Sequence, residues 1–225
     1  MTLLSPVRRL MKLFHPEGIP FPGSSFYNLI SRTDIFRRLY DLVARDISSY
    51  CSEGNILDIG TGPAWLLIKL YERSPKLRLT GVDISSSMVT KALNNVARVG
   101  LSDVIKIKAG DASHLPCTDE SFDAVVSTGS MHHWKNPSAS LNEIYRVIKP
   151  GGYALMYDLV SDTPGTILKE SVHEFGRLKL LMFWIHSFEE PFYTQHNFEL
   201  LASSTFFKEG KTKFVGLLCC LILRK

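Results

Sequence analysis

From Asn55 to Asp158 the chain alternates short apolar runs with stretches whose apolar residues recur every three to four positions. The first spacing marks strands buried on both faces and the second marks amphipathic helices. Asn55–Ile59 reads as a strand and Ala64–Glu72 as a helix; Leu77–Val82 and Ser86–Val99 repeat the pair. Ser85 or Ser86 can cap the second helix, and Gly100 stops it. Val104–Ala109, with lysines at alternate positions, reads as a strand near an edge, whereas the more apolar Phe122–Thr128 reads as central. Asn136 and Pro137 supply a cap and a first-turn proline for a helix running to Val147. Lys149-Pro-Gly-Gly152 then turns into a strand over Tyr153–Tyr157. Such alternation with short links builds a parallel sheet covered on both faces.

The flanks break this rhythm. Residues 1–50 read as helices interrupted between Pro16 and Pro22, and residues 163–186 carry a long, apolar-rich helical pattern. Two final strands are expected, at Thr205–Lys208 and Lys213–Leu223, joined by Glu209-Gly-Lys211. So short a link forces them antiparallel, because a parallel pair needs a crossover of roughly a dozen residues. The division expected is one domain over 1–225, with a helical lid at 1–50, a ligand-binding core at 51–160, a helical insertion at 161–195 and strands at 196–225.

Composition narrows the class of protein. The chain has 225 residues, 45% hydrophobic and 21% charged, which are globular values. A net charge of +4, dispersed along the sequence, does not mark a nucleic-acid partner. Cys51, Cys117, Cys219 and Cys220 show neither a CxxC pair nor metal-ligand spacing, so reduced thiols in a cytoplasmic protein are expected. There is no transmembrane-length apolar run and no secretory signal pattern. Leu3, Leu4, Val7, Leu10, Met11 and Phe14, with Arg8, Arg9 and Lys12 between them, form a basic amphipathic pattern that suits a lid, a partner or a membrane surface.

The candidate chemistry begins at Asp58-Ile-Gly-Thr-Gly-Pro63, where a strand breaks into a glycine pair and a helix start. Gly60 and Gly62 remove side chains where backbone must curl and approach a ligand. Asp83 closes the next strand, at the distance where an acid binds ribose hydroxyls. Together they predict a nucleotide-like site. A nicotinamide oxidoreductase would use the same loop, yet Trp65 stands where its fingerprint wants a sixth-position glycine.

Four stretches together resemble the class I S-adenosylmethionine-dependent methyltransferases, especially the small-molecule branch that includes quinone C-methyltransferases. They are Leu57-Asp-Ile-Gly-Thr-Gly62, Gly81-Val-Asp-Ile84, Gly110-Asp-Ala-Ser-His-Leu-Pro116 and Phe122 through Trp134, with Glu143 to Tyr153 adding to the match. That resemblance implies a Rossmann-like, doubly wound α/β fold with a mostly parallel sheet, a C-terminal antiparallel strand and helical lid insertions. It also implies S-adenosyl-L-methionine as cofactor and a small-molecule methyl acceptor. In that family Asp58 lies under the glycine loop and reaches the methionine amino group, with Gly60, Thr61 and Gly62 forming the loop. Asp83 takes both ribose hydroxyls, and Ile84 and Met88 sandwich the adenine. Asp111, after Gly110, accepts from the exocyclic amine, while the Ala112 N–H donates to a ring nitrogen. Ser127 and Thr128 sit beside the sulfonium, and Tyr27 occupies the region where an N-terminal helix closes over the donor. One departure is Ala64, where the family often has a third glycine.

His132 and His133 are the candidate catalytic bases, with Tyr157 and Asp158 also at strand ends. Equally open is a packing role for the histidines; zinc ligation lacks partner spacing. Ser127-Thr-Gly-Ser130 carries no clamp for a nucleobase amine. The apolar segment Ile167–Phe188 suits a roof over an apolar or aromatic acceptor, or a homodimer interface. A cofactor-binding scaffold or sensor without catalysis is the other reading.

Overall fold

The computed structural model describes residues 33–177 and 193–225. Seven strands form one sheet: β1 (Gly54–Ile59), β2 (Leu77–Asp83), β3 (Ile105–Ala109), β4 (Phe122–Thr128), β5 (Ile148–Asp158), β6 (Lys211–Val215) and β7 (Leu218–Arg224). Among the described residues six helices accompany them: α1 (Asp34–Tyr50), α2 (Trp65–Arg73), α3 (Ser86–Arg98), α4 (Pro137–Val147), α5 (Gly165–Phe175) and α6 (Gln195–Ser203). The strand order is β3-β2-β1-β4-β5-β7-β6. The first five strands run parallel, and β7 joins β5 antiparallel. The order reverses between β1 and β4, which is where a doubly wound sheet opens a crevice at its carboxyl edge.

Local chemistry explains the element ends. The Ser85 hydroxyl accepts from Met88 N and the Asn136 side chain accepts from Ala139 N, so both expected caps form. β3 lies at the sheet edge and β4 near its centre, as their lysine and apolar patterns predict. The Lys149–Gly152 turn is absorbed as an irregularity in β5: Phe122 pairs with Ile148, and Ala124 already pairs with Tyr153.

Three expectations change. Residues 34–50, expected within a lid, form α1, which buries Ile35, Leu39, Val43, Ala44 and Ile47 in the core that also holds α2. Side chains of this size stabilise by about 1.5–3 kcal/mol each when fully buried, so α1 is a layer of the sandwich. Residues 196–225 are not all strand: they open with α6, capped by the Thr194 hydroxyl accepting from Asn197 N. Thr205–Lys208 is a run of turns, in which Thr205 N donates to Ala202 O and Lys208 N to Thr205 O. The antiparallel hairpin is instead cut from within the apolar run, with Val215 paired to Leu218 across Gly216 and Leu217. Gly216 has φ +57 and Leu217 does not lie at positive φ, the pattern of a II′ hairpin turn.

Candidate cofactor and acceptor site

The loop between β1 and α2 is wound by its own residues. Gly60, Gly62 and Ala64 have φ of +70, +51 and +65, so the chain enters the left-handed region at every second position. An L side chain is disfavoured there, which accounts for the glycines and for the family's usual third glycine at the Ala64 position. The amides of Gly60 and Thr61 both donate to Val82 O, at 2.8 and 3.1 Å, locking the loop to the end of β2. A Cβ on Gly60 would lie 2.0 Å from the Ser130 Oγ, so the loop after β4 presses directly on this turn.

Consecutive residues of the loop each engage one carboxylate. Thr61 Oγ1 donates to Asp58 Oδ2 at 2.8 Å, and Gly62 N donates to Asp83 Oδ2 at 2.8 Å. Asp83 Oδ1 accepts from Ser85 N at 2.8 Å, so each of its oxygens keeps a lone pair for a further donor. Burial pushes the Asp83 carboxyl up, opposed by those two amides. Asp58 is 2% exposed and among the described residues has the Thr61 hydroxyl as its hydrogen-bond partner; burial pushes its carboxyl up to about 7, and the nearby Asp83 adds to the rise. Ile84 stays open to solvent beside Asp83, whereas Met88 is buried in the first turn of α3. At the tip of β3, Asp111 Oδ1 accepts from Ser113 N and Oγ at 2.7 and 2.9 Å, leaving Oδ2 for another donor. Ser127 and Thr128, which end β4, carry buried hydroxyls without a hydrogen-bond partner among the described residues.

On the opposite side of β4 a short helical turn, Met131–His133, brings His132 over the end of β5. His132 Nδ1 lies 2.8 and 2.9 Å from the two Asp158 carboxylate oxygens, and its backbone N donates to Oδ2 at 3.0 Å. Both side chains are buried. With the Nδ1 hydrogen donated to the carboxylate, Nε2 is the basic nitrogen of the neutral ring. The His133 ring lies 4.0 Å from that of His132, centroid to centroid. Asp158 is 1% exposed, and the chain neighbours of the pair, Met131, Trp134, Met156 and Val160, belong to one buried apolar cluster.

Tyr157 does not serve as a base. Adjacent strand residues face opposite sides, so Tyr157 points toward α1 while Asp158 points toward His132. Its hydroxyl donates to Asp46 Oδ2 at 2.8 Å, and burial pushes the phenol well above 10. Tyr27 lies outside the described residues. Among those residues no three His, Cys, Asp or Glu side chains gather as a metal site. The sequence reading did not connect Ser130 with Gly60, nor Asp46 with Tyr157; these contacts join segments that no local motif links.

The donor set fits an adenosyl sulfur ligand. Open acceptor positions on the carboxylates of Asp58, Asp83 and Asp111 match an ammonium, a diol and an exocyclic amine, and two hydroxyls without a partner among the described residues end the central strand. The family described as methyltransferase domain, Methyltransf_11, matches residues 57–156. Over that span the chain is similar to the class I S-adenosylmethionine-dependent methyltransferases. S-adenosyl-L-methionine is its cofactor. A ubiquinone/menaquinone biosynthesis C-methyltransferase from Geotalea daltonii is 29% identical over 161 residues, 71% of this chain and 67% of that protein. A sterol 4-C-methyltransferase from Caenorhabditis elegans is 35% identical over 104 residues, 46% of this chain but 30% of the relative, so the chain spans under a third of that enzyme's length. A solved methyltransferase from Aquifex aeolicus shares the fold with a TM-score of 0.69 at 18% identity, covering 89% of this chain and 97% of that one.

Proposed function

We propose that the protein transfers a methyl group from S-adenosylmethionine to a small apolar or aromatic acceptor, whose proton is taken by the His132–Asp158 pair. The observation that carries this reading is a buried histidine, oriented by a buried carboxylate within an apolar core, beside the cofactor strand. When bound, the cofactor supplies a methyl on a sulfonium that is already activated for displacement. Asp58 would accept from the ammonium, Asp83 from the ribose hydroxyls, and Asp111 with the Ala112 amide would read the adenine edge. Thr61 holds Asp58 in place, Ile84 and Met88 flank the base, Gly110 lets the chain pass close to it, and Ser127 and Thr128 border the methyl. Tyr27 completes the set from the N-terminal segment.

Position and dryness are the protein's main contributions to such a displacement. A histidine tied through Nδ1 to a carboxylate is a stronger base at Nε2, because the carboxylate stabilises the imidazolium that forms. A homodimer face and contact with a membrane surface belong to the same reading; the rest of the expected lid, 1–32 and 178–192, lies outside the described residues. No described helix is long and apolar enough to cross a membrane. All four cysteines are free thiols, which suits the cytoplasm. Named quinone and sterol relatives support an apolar acceptor.

The test is S-adenosylhomocysteine release with a panel of quinols, phenols, sterols and hydrophilic amines. Apolar acceptors should win, and His132→Ala and Asp158→Asn should each slow turnover about 100-fold or more with cofactor affinity kept. Preference for the amines, or full activity in both variants, would defeat the reading.

A further inference from the structure

The segment between β3 and β4 has no helix of its own, yet it carries Asp111 and Ala112. At its start Gly110 N donates to Asp83 O at 3.0 Å, and Lys108 Nζ donates to Pro116 O at 3.2 Å. Most of its remaining side-chain attachment comes from two residues three apart on α4, and so on one helix face. Glu143 Oε2 accepts from Leu115 N at 3.0 Å. Arg146 donates through Nη2 to Leu115 O at 3.2 Å, and through Nη1 to Cys117 O at 2.8 Å and Asp119 Oδ1 at 2.7 Å. The same guanidinium grips Glu143 through Nε and Nη2, at 2.9 and 2.7 Å. At the far end, Glu120 N and Ser121 N donate to the carbonyls of Arg146 and Val147.

We propose that Glu143 and Arg146 are positioning residues for cofactor recognition, clamping the Leu115–Asp119 stretch so that Asp111 and Ala112 stay aimed at the adenine. This rests on the reading of Asp111 and Ala112 as adenine contacts. The clamp needs an arginine. Its planar fork satisfies two carboxylates and two main-chain carbonyls at once, whereas a lysine ammonium is a single point with three donors. Mutual stabilisation is visible in the charges: the guanidinium holds the Glu143 carboxyl below its ordinary range, and Glu143 and Asp119 raise Arg146 in turn. If the clamp opens, a buried Leu115 and two carbonyls lose their anchor, and the main chain that carries the adenine contacts is free to shift.

Calorimetry on Arg146→Lys and Glu143→Gln, with S-adenosylhomocysteine and S-inosylhomocysteine as probes, tests this. The second probe replaces the adenine amine with a keto oxygen. Arg146→Lys should weaken S-adenosylhomocysteine binding about tenfold, a loss of one good hydrogen-bonded contact. Its preference for the adenosyl over the inosyl probe should fall toward one, and amide exchange at Leu115 should speed up. With S-adenosylmethionine, KM should rise more than kcat falls. Glu143→Gln should show the same direction with a smaller effect, and serves if the arginine variant does not fold. Faster exchange at Leu115 with unchanged affinity and unchanged probe preference in both variants would overturn the proposal. Asp111→Asn separates the two layers: if it too leaves the preference intact, the adenine assignment itself is wrong; if it alone abolishes the preference, only the clamp is.

Discussion

Replacing Asp58 by asparagine should change the sign of its effect on stability between acid and alkaline pH. The carboxyl is 2% exposed and, among the described residues, holds one hydrogen bond, from Thr61. Burial chiefly, with the nearby Asp83, moves it from its ordinary 3.8 to about 7. The folded protein therefore binds this proton more tightly than the unfolded chain does. Its contribution to stability is fully present below about pH 4 and is lost as pH rises through about 7. At about 1.4 kcal/mol per pH unit, an interval from 3.8 to about 7 is worth on the order of 4 kcal/mol. Asparagine has nearly the same shape and does not titrate. The unfolding free energy of Asp58→Asn minus that of the wild type, both without cofactor, should therefore rise by on the order of 4 kcal/mol from about pH 4 to about pH 8. Urea titrations across that range measure it, and groups common to both proteins cancel in the difference. Cofactor should repair the wild type above pH 7, because its ammonium meets the ionised carboxylate, and should show no such pH dependence in the variant. A flat difference curve would refute the assignment of a buried, under-bonded carboxyl.

Two further substitutions probe the frame of the site. Gly60→Ala places a Cβ 2.0 Å from Ser130 Oγ at a φ of +70. It should cost at least about 2 kcal/mol by urea melting, of which Ser130→Gly recovers the steric part and leaves about 1 kcal/mol of backbone strain. Tyr157→Phe removes a donor to Asp46, which keeps its Lys213 partner. Stability should fall by about 1–2 kcal/mol. The pH profile of methyl transfer should not move, because a phenol held well above 10 does not titrate in the working range.

Much of the core was legible before any coordinates. The β–α alternation, the edge place of Val104–Ala109, the caps at Ser85 and Asn136, and the glycine pair after Asp58 are written in spacings of about a dozen residues or fewer. They survive because local period and local hydrogen bonding decide them. The C-terminal hairpin was misplaced for the same reason. Phe214–Leu223 is an almost unbroken apolar run, and nothing in its period distinguishes a strand from two strands around Gly216.

Local pattern nominates His132 and Asp158 but does not pair them, and it does not single out Asp46 or Arg146 at all. Asp158 finds His132 from 26 residues away, and Tyr157 finds Asp46 from 111. Those meetings exist because the sheet sets β5 between β4 and β7, sending adjacent residues of one strand to opposite layers. A chain encodes which side chains share a face over a few residues. Which distant faces meet is decided by strand order, and strand order belongs to the whole packed core.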